Sequence, residues 1–131
     1  MNKVKIKDTL FYSKDHTWLQ VDGDKVRIGI TDFLQDDLGT IVFVDLVETT
    51  KQLKVSEALG NVESEKTVSE LYTPVSGTVI AVNKALDDEP NLINISPYDK
   101  GWLIEVELMD ELQLDDLLTA SEYAAFLKED E

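Results

Sequence analysis

The sequence predicts a mainly β domain of short antiparallel strands, with short helices and one C-terminal helix. Three features carry that prediction. Apolar residues alternate strictly on either side of a tight turn near residue 22, several short β-branched runs are set off by glycine and proline, and one late segment has helical capping and periodicity.

Leu19 and Val21 lead into Asp22-Gly23, after which Val26, Ile28 and Ile30 alternate with Lys25, Arg27 and Gly29. This is the pattern of a β-hairpin turning at Asp22-Gly23. Thr31 has an N-capping side chain, Phe33, Leu34 and Leu38 supply an apolar face, and Gly39 suits the position just past a short helix. Residues 40–46 and 78–82 are nearly continuous apolar runs. Trp102, Ile104, Val106 and Leu108 alternate with Leu103, Glu105 and Glu107, which gives three further strands. Residues 87–101 hold Pro90, Asn91, Asn94 and Pro97 and read as an ordered loop crossing. Thr119 and Glu122 form a capping box, followed by the i, i+3, i+4 stripe of Tyr123, Phe126 and Leu127. The tail from Lys128 to Glu131 is charged. Gly39-Thr40-Ile41-Val42 echoes Gly77-Thr78-Val79-Ile80, which fits either two similar β halves or coincidence.

The 131 residues are expected to form one domain, 1–131, with a single core. At 43% hydrophobic and 30% charged, the composition is that of a packed soluble fold, and no apolar stretch is long enough to span a bilayer. Residues 1–10 alternate lysines with short apolar residues and lack a signal-peptide core, so a cytoplasmic location is expected. Without cysteine, disulfides, thiolate metal sites and a cysteine nucleophile are excluded, and any sulfur chemistry must come on a cofactor.

Twelve basic against 27 acidic residues give a net charge of −15, a field that repels nucleic acid and anionic membranes. That charge either keeps the surface soluble or steers basic protein partners. Asp36-Asp37, Asp87-Asp88-Glu89 and Asp115-Asp116 lack the spacing of a calcium loop, and no metal is predicted. There is no phosphate-binding glycine loop and no nucleophile triad, and the chain has a single histidine. An independent enzyme is not expected.

One residue remains as a chemical handle. In residues 58–73, two β-compatible stretches flank Ser64-Glu65-Lys66, placing Lys66 where a hairpin turns. A lysine there is usually an ordinary solvated side chain. It also projects an amine that a modifying enzyme can reach without unfolding the domain.

Val62-Glu63-Ser64-Glu65-Lys66, followed by Leu71-Tyr72-Thr73-Pro74-Val75-Ser76-Gly77, resembles the lipoylation segment of glycine cleavage H proteins. Further family-like features run in order from about residue 10 to 127. They are His16-Thr17-Trp18, Gly29-Ile30-Thr31, Leu38-Gly39 before Ile41-Val42-Phe43-Val44, Val82-Asn83 before Ala85-Leu86, Pro90 with Leu92 and Asn94, and Pro97-Tyr98 before Gly101-Trp102. The segments around His16, Pro90 and Gly101-Trp102 resemble the H protein rather than the lipoyl domains of 2-oxoacid dehydrogenases. Biotin carriers usually flank their lysine with methionine, whereas Lys66 lies between Glu65 and Thr67. These two neighbours also depart from the family, which commonly has a small apolar residue before the lysine and alanine after it.

The resemblance implies a barrel-sandwich hybrid of two antiparallel sheets, of the lipoyl and biotinyl carrier type, with Lys66 on an exposed hairpin. It implies lipoate joined to Lys66 as an amide, with Glu63, Ser64, Glu65 and Thr67 as the recognition segment. Such an arm is about ten bonds long, on the order of 12 to 14 Å. The carrier would shuttle an aminomethyl group from a pyridoxal-phosphate glycine decarboxylase to a tetrahydrofolate-dependent aminomethyltransferase, and electrons to dihydrolipoamide dehydrogenase. A lipoate ligase or a lipoyl or octanoyl transferase would load it. A non-catalytic monomer fits that duty. His16 is a candidate for the cleft in which the arm docks, or else a hydrogen-bonding structural residue beside Trp18. Two other functions fit the same residues: a lipoyl relay that donates lipoate to other complexes or acts in redox signalling, and an unmodified acidic interaction module.

Overall fold

The computed structural model describes residues 4–109 and 111–129. The last two residues of the charged tail and the first three of the N-terminal segment lie outside them. Among the described residues, nine strands form two antiparallel sheets: β1 (Phe11–Tyr12), β2 (Thr17–Asp22), β3 (Lys25–Ile30), β4 (Ile41–Leu46), β5 (Gln52–Leu53), β6 (Ala58–Ser64), β7 (Val68–Tyr72), β8 (Gly77–Val82) and β9 (Ile104–Leu108). The larger sheet has the order β1-β2-β3-β9-β8-β5 and the smaller one β4-β6-β7. The expected two-sheet hybrid is therefore the observed architecture.

The alternation in β2 and β3 buries Leu19, Val26, Ile28 and Ile30 on one face of the large sheet. There they join Ile104, Val106, Val44, Val62 and Leu71 in one buried cluster shared by both sheets. Each such side chain contributes about 1.5–3 kcal/mol relative to exposure, which is why strand register is fixed here. The hairpin itself is shifted by one residue from the sequence expectation. Asp22 pairs with Lys25, leaving Gly23 and Asp24 as the turn. Gly23 has φ +65° while Asp24 stays at negative φ, the signature of a type II′ turn with glycine at its first central position.

The helix expected after β3 forms as written. Thr31 caps α1 (Asp32–Leu38), its hydroxyl accepting from Leu34 N–H, and Gly39 ends it. Residues 87–101 differ from the expected loop. They include the end of α2 (Ala85–Asp88) and all of α3 (Leu92–Ile95), single turns anchored by buried Leu86 and Ile93. Four residues are too few to display a helical period, so sequence patterning could not reveal them. Strands β1 and β5, two residues each, were invisible for the same reason, as was a 3-10 turn at Glu111–Asp116.

A second cluster lies on the other face of β2, where Tyr12, Trp18 and Tyr123 are fully buried. Trp18 lies across Gly29, its registered neighbour, where a Cβ would come within 2.6 Å of the ring, and its indole N–H donates to the Pro97 carbonyl at 2.9 Å. Three separate motifs of the sequence thus meet at one tryptophan. The capping box forms reciprocally: Thr119 N–H donates to Glu122 at 2.9 Å, and Glu122 N–H donates to the Thr119 hydroxyl at 3.2 Å. It opens α4 (Ala120–Glu129), whose Tyr123 stacks on Tyr12 with ring centroids 4.6 Å apart.

Candidate functional site

Strands β6 and β7 end in a tight turn from Ser64 to Thr67, with Glu65 and Lys66 at its tip. Ser64 organises it. Although only 6% exposed, its hydroxyl oxygen accepts from the N–H groups of Lys66 (3.3 Å) and Thr67 (3.1 Å), while Ser64 N–H donates to the Thr67 carbonyl at 2.8 Å. A serine at this point replaces backbone acceptors with its own side chain, so the turn is held closed from below. Glu63, Glu65, Lys66 and Thr67 are all exposed above it.

The turn is tied to the end of α1. Glu65 N–H donates to the Thr40 carbonyl at 3.1 Å, and the Lys66 side chain runs over Gly39. Gly39 has φ +88° and ψ −163°, a backbone region open essentially to glycine alone. Asn94 of α3 fixes this segment from beneath. Its amide donates to the Gly39 carbonyl and to Gln35, both at 2.9 Å, and its oxygen accepts from Ile41 N–H at 2.8 Å. Asn94 was legible only as part of a family-like string, because its partners are more than 50 residues away and no local pattern marks them.

His16 stands apart from the lysine turn. Its carbonyl accepts from Thr31 N–H at 3.0 Å, which places it at the N-terminal end of α1, whereas Lys66 lies at the Gly39 end. Eight residues of helical rise separate those ends, about 12 Å. The imidazole Nδ1 is 2.8 Å from the Tyr123 hydroxyl, which is in turn 2.8 Å from the Thr31 hydroxyl, and the ring packs against Phe33 and Phe126. Burial pushes the Tyr123 phenol up to about 12, partly opposed by the Thr31 hydrogen bond. The phenol therefore stays protonated at neutral pH and can serve both neighbours. The structure thus brings together residues 63–67 and leaves His16 in a polar link within an aromatic pocket, half-buried at the surface.

A cysteine-free, two-sheet fold that holds one lysine at the tip of a braced hairpin is the architecture of the lipoyl and biotinyl carriers, in which the protein presents a group rather than transforming it. The family description "Glycine cleavage H-protein" matches residues 10–130, and the chain belongs to that family. It is 55% identical over 120 residues to the glycine cleavage system H protein of Geobacillus thermodenitrificans (strain NG80-2), covering 92% of this chain and 94% of the relative. It is 52% identical over 124 residues to that of Staphylococcus carnosus (strain TM300), covering 95% and 98%. The crystal structure of a glycine cleavage system H protein from Mycobacterium marinum superposes with a TM-score of 0.86 at 40% identity, over 94% of this chain and 99% of the other. The protein is accordingly a non-catalytic lipoyl carrier subunit of the glycine cleavage system, with its partners inside that system.

Proposed function

We propose that Lys66 is the residue that carries lipoate, as an amide on Nζ, and that Glu63, Ser64, Glu65 and Thr67 form the segment read by the enzyme that attaches it. The observation that supports this is the meeting of Lys66 and Gly39: the lysine stem crosses bare backbone, leaving the amine at an exposed turn whose frame is hydrogen-bonded on both sides. The site fits the group, since attachment requires only a reachable primary amine and a rigid base for a long arm. When bound, lipoate supplies the sulfur chemistry that a chain without cysteine lacks.

The chain's own residues hold and shield. Ser64 and Thr40 fix the direction in which Lys66 leaves the surface, so the arm sweeps a limited volume rather than a full sphere. His16, one α1 length away, packs its ring against Phe33 and Phe126 and joins Tyr123 through Nδ1. It is the docking point we assign to the arm's far end. In this reading the chain is a single carrier domain. It acts as a cytoplasmic monomer and visits the pyridoxal-phosphate glycine decarboxylase, the tetrahydrofolate-dependent aminomethyltransferase and dihydrolipoamide dehydrogenase after a lipoate ligase or acyl transferase has loaded it. Its charge of −15 favours partners with basic docking faces.

The test is the exchange of labelled bicarbonate into the carboxyl of glycine, catalysed by the decarboxylase with the loaded protein as carrier. Exchange that requires the protein and vanishes in Lys66→Arg supports the reading. Exchange at the wild-type rate in Lys66→Arg overturns it.

A further inference from the structure

The smaller sheet has an outer face of mostly exposed side chains, and its residues fall into registered rows. Phe43 pairs with Glu63, which pairs with Val68; the next row is Asp45, Asn61 and Glu70. Directly paired residues share a face, and the inward alternates Val44 and Val62 are buried, so these two rows point outward. Phe43 is 55% exposed and Val68 62%. The cause is local: β4 is an edge strand with a bulge between Ile41 and Phe43, and β7 is the opposite edge. Scattered exposed apolar residues are ordinary. Here a phenylalanine and a valine lie in one row across a glutamate, on the last strand pair before the turn that bears Lys66.

We propose that this face is the docking surface for the enzyme that acylates Lys66, with Phe43 and Val68 meeting apolar side chains and Glu63, between them, meeting lysine or arginine. The proposal rests on the reading of Lys66 as the attachment site. Charge defines the partner's rim: Asp45, Glu63 and Glu70 on the face and Glu65 at the turn are all acidic, and Lys66 itself is the one cation among these residues. An acidic surface with exposed apolar side chains on either side of Glu63 matches a basic partner surface that offers apolar contacts, and it repels acidic surfaces.

Distance selects the acylating enzyme from the other partners. Val68 is two residues from Lys66, about 7 Å of extended chain, so a protein seated on this row brings its own surface directly over Nζ. The enzyme that acts on the bare amine has no arm to bridge the gap and requires that approach. In the step itself, the neutral Lys66 amine attacks the carbonyl carbon of an acyl adenylate. The C–N bond forms as the C–O bond to AMP breaks, AMP leaves with the electron pair, and the nitrogen releases its extra proton to solvent. The row supplies none of these atoms; it holds the two proteins in register.

The experiment follows acylation of the full chain by a lipoate ligase with lipoate and ATP, by intact mass over time at varied carrier concentration. Phe43→Ser with Val68→Thr is expected to lower kcat/KM for the carrier on the order of tenfold, with kcat at saturating carrier retained. Ile80→Thr, at a 38% exposed apolar position on β8 of the other sheet, is expected to behave as wild type. Glu63→Lys is expected to raise KM and flatten its dependence on salt, a second readout that does not depend on removing an aromatic ring. Wild-type kcat/KM in the double variant, or an equal loss in Ile80→Thr, overturns the docking surface while leaving Lys66 in place. Normal acylation of the double variant followed by loss of bicarbonate exchange assigns the face to a later partner and also overturns it. Failure to acylate the wild type removes the Lys66 reading itself.

Discussion

A Cβ placed on Gly39 would stand 3.0 Å from Lys66 Cε, so the residue that ends α1 and the residue at the hairpin tip share one small space. The absence of a side chain at one determines the course of the other. It also explains why a glycine follows this helix, beyond the general preference for glycine after a C-terminus.

Gly39→Ala should therefore act twice. The backbone at φ +88°, ψ −163° becomes strained, at a cost of about 1–3 kcal/mol, and the lysine stem is displaced. Urea denaturation is expected to show the destabilisation, and acylation of Lys66 is expected to slow under conditions where the variant remains folded. Wild-type stability and rate together would contradict the arrangement.

Ser64→Ala removes the acceptor used by Lys66 and Thr67 N–H. A loss of about 1 kcal/mol is expected, with faster amide hydrogen exchange confined to residues 65–67. Exchange unchanged at these amides would show that the hydroxyl does not hold the turn.

Tyr123→Phe removes the side-chain link from His16 to Thr31 and should cost about 1–3 kcal/mol at neutral pH. The pH dependence has a definite sign. The folded phenol titrates near 12 and the unfolded one near 10.0, so between these values the unfolded state loses its proton first and is favoured. Stability supplied by the protonated phenol is complete below pH 10 and falls as pH rises toward 12. Tyr12 and Tyr98, also raised by burial, titrate in both proteins, so the gap between wild type and variant reports Tyr123 together with its charge effect on Tyr98. That gap is expected to narrow across this window, and a constant gap to pH 12 would contradict it.

Much of this was legible because it is local. The Thr31 cap, the Thr119–Glu122 box and the alternation in β2, β3 and β9 each depend on residues within one turn or strand, and each stands where the sequence places it. The position of Lys66 between two strands was legible for the same reason. The supports of that lysine were not. Asn94 reaches Gln35, Gly39 and Ile41 across more than 50 residues, and a side-chain amide carries no periodicity that would announce it. The run at residues 40–46 is nearly continuously apolar and forms the expected strand, but β4 is a bulged edge, so Val42 and Phe43 face solvent instead of the core. Two-residue strands and four-residue helices fall below the length at which a pattern repeats.

The most direct test of the central claim is the intact mass of the protein after incubation with lipoate, ATP and a lipoate ligase, beside Lys66→Arg treated identically. The account predicts one lipoyl increment on the wild type and none on the variant. An unmodified wild type, or an increment that persists in Lys66→Arg, would contradict it.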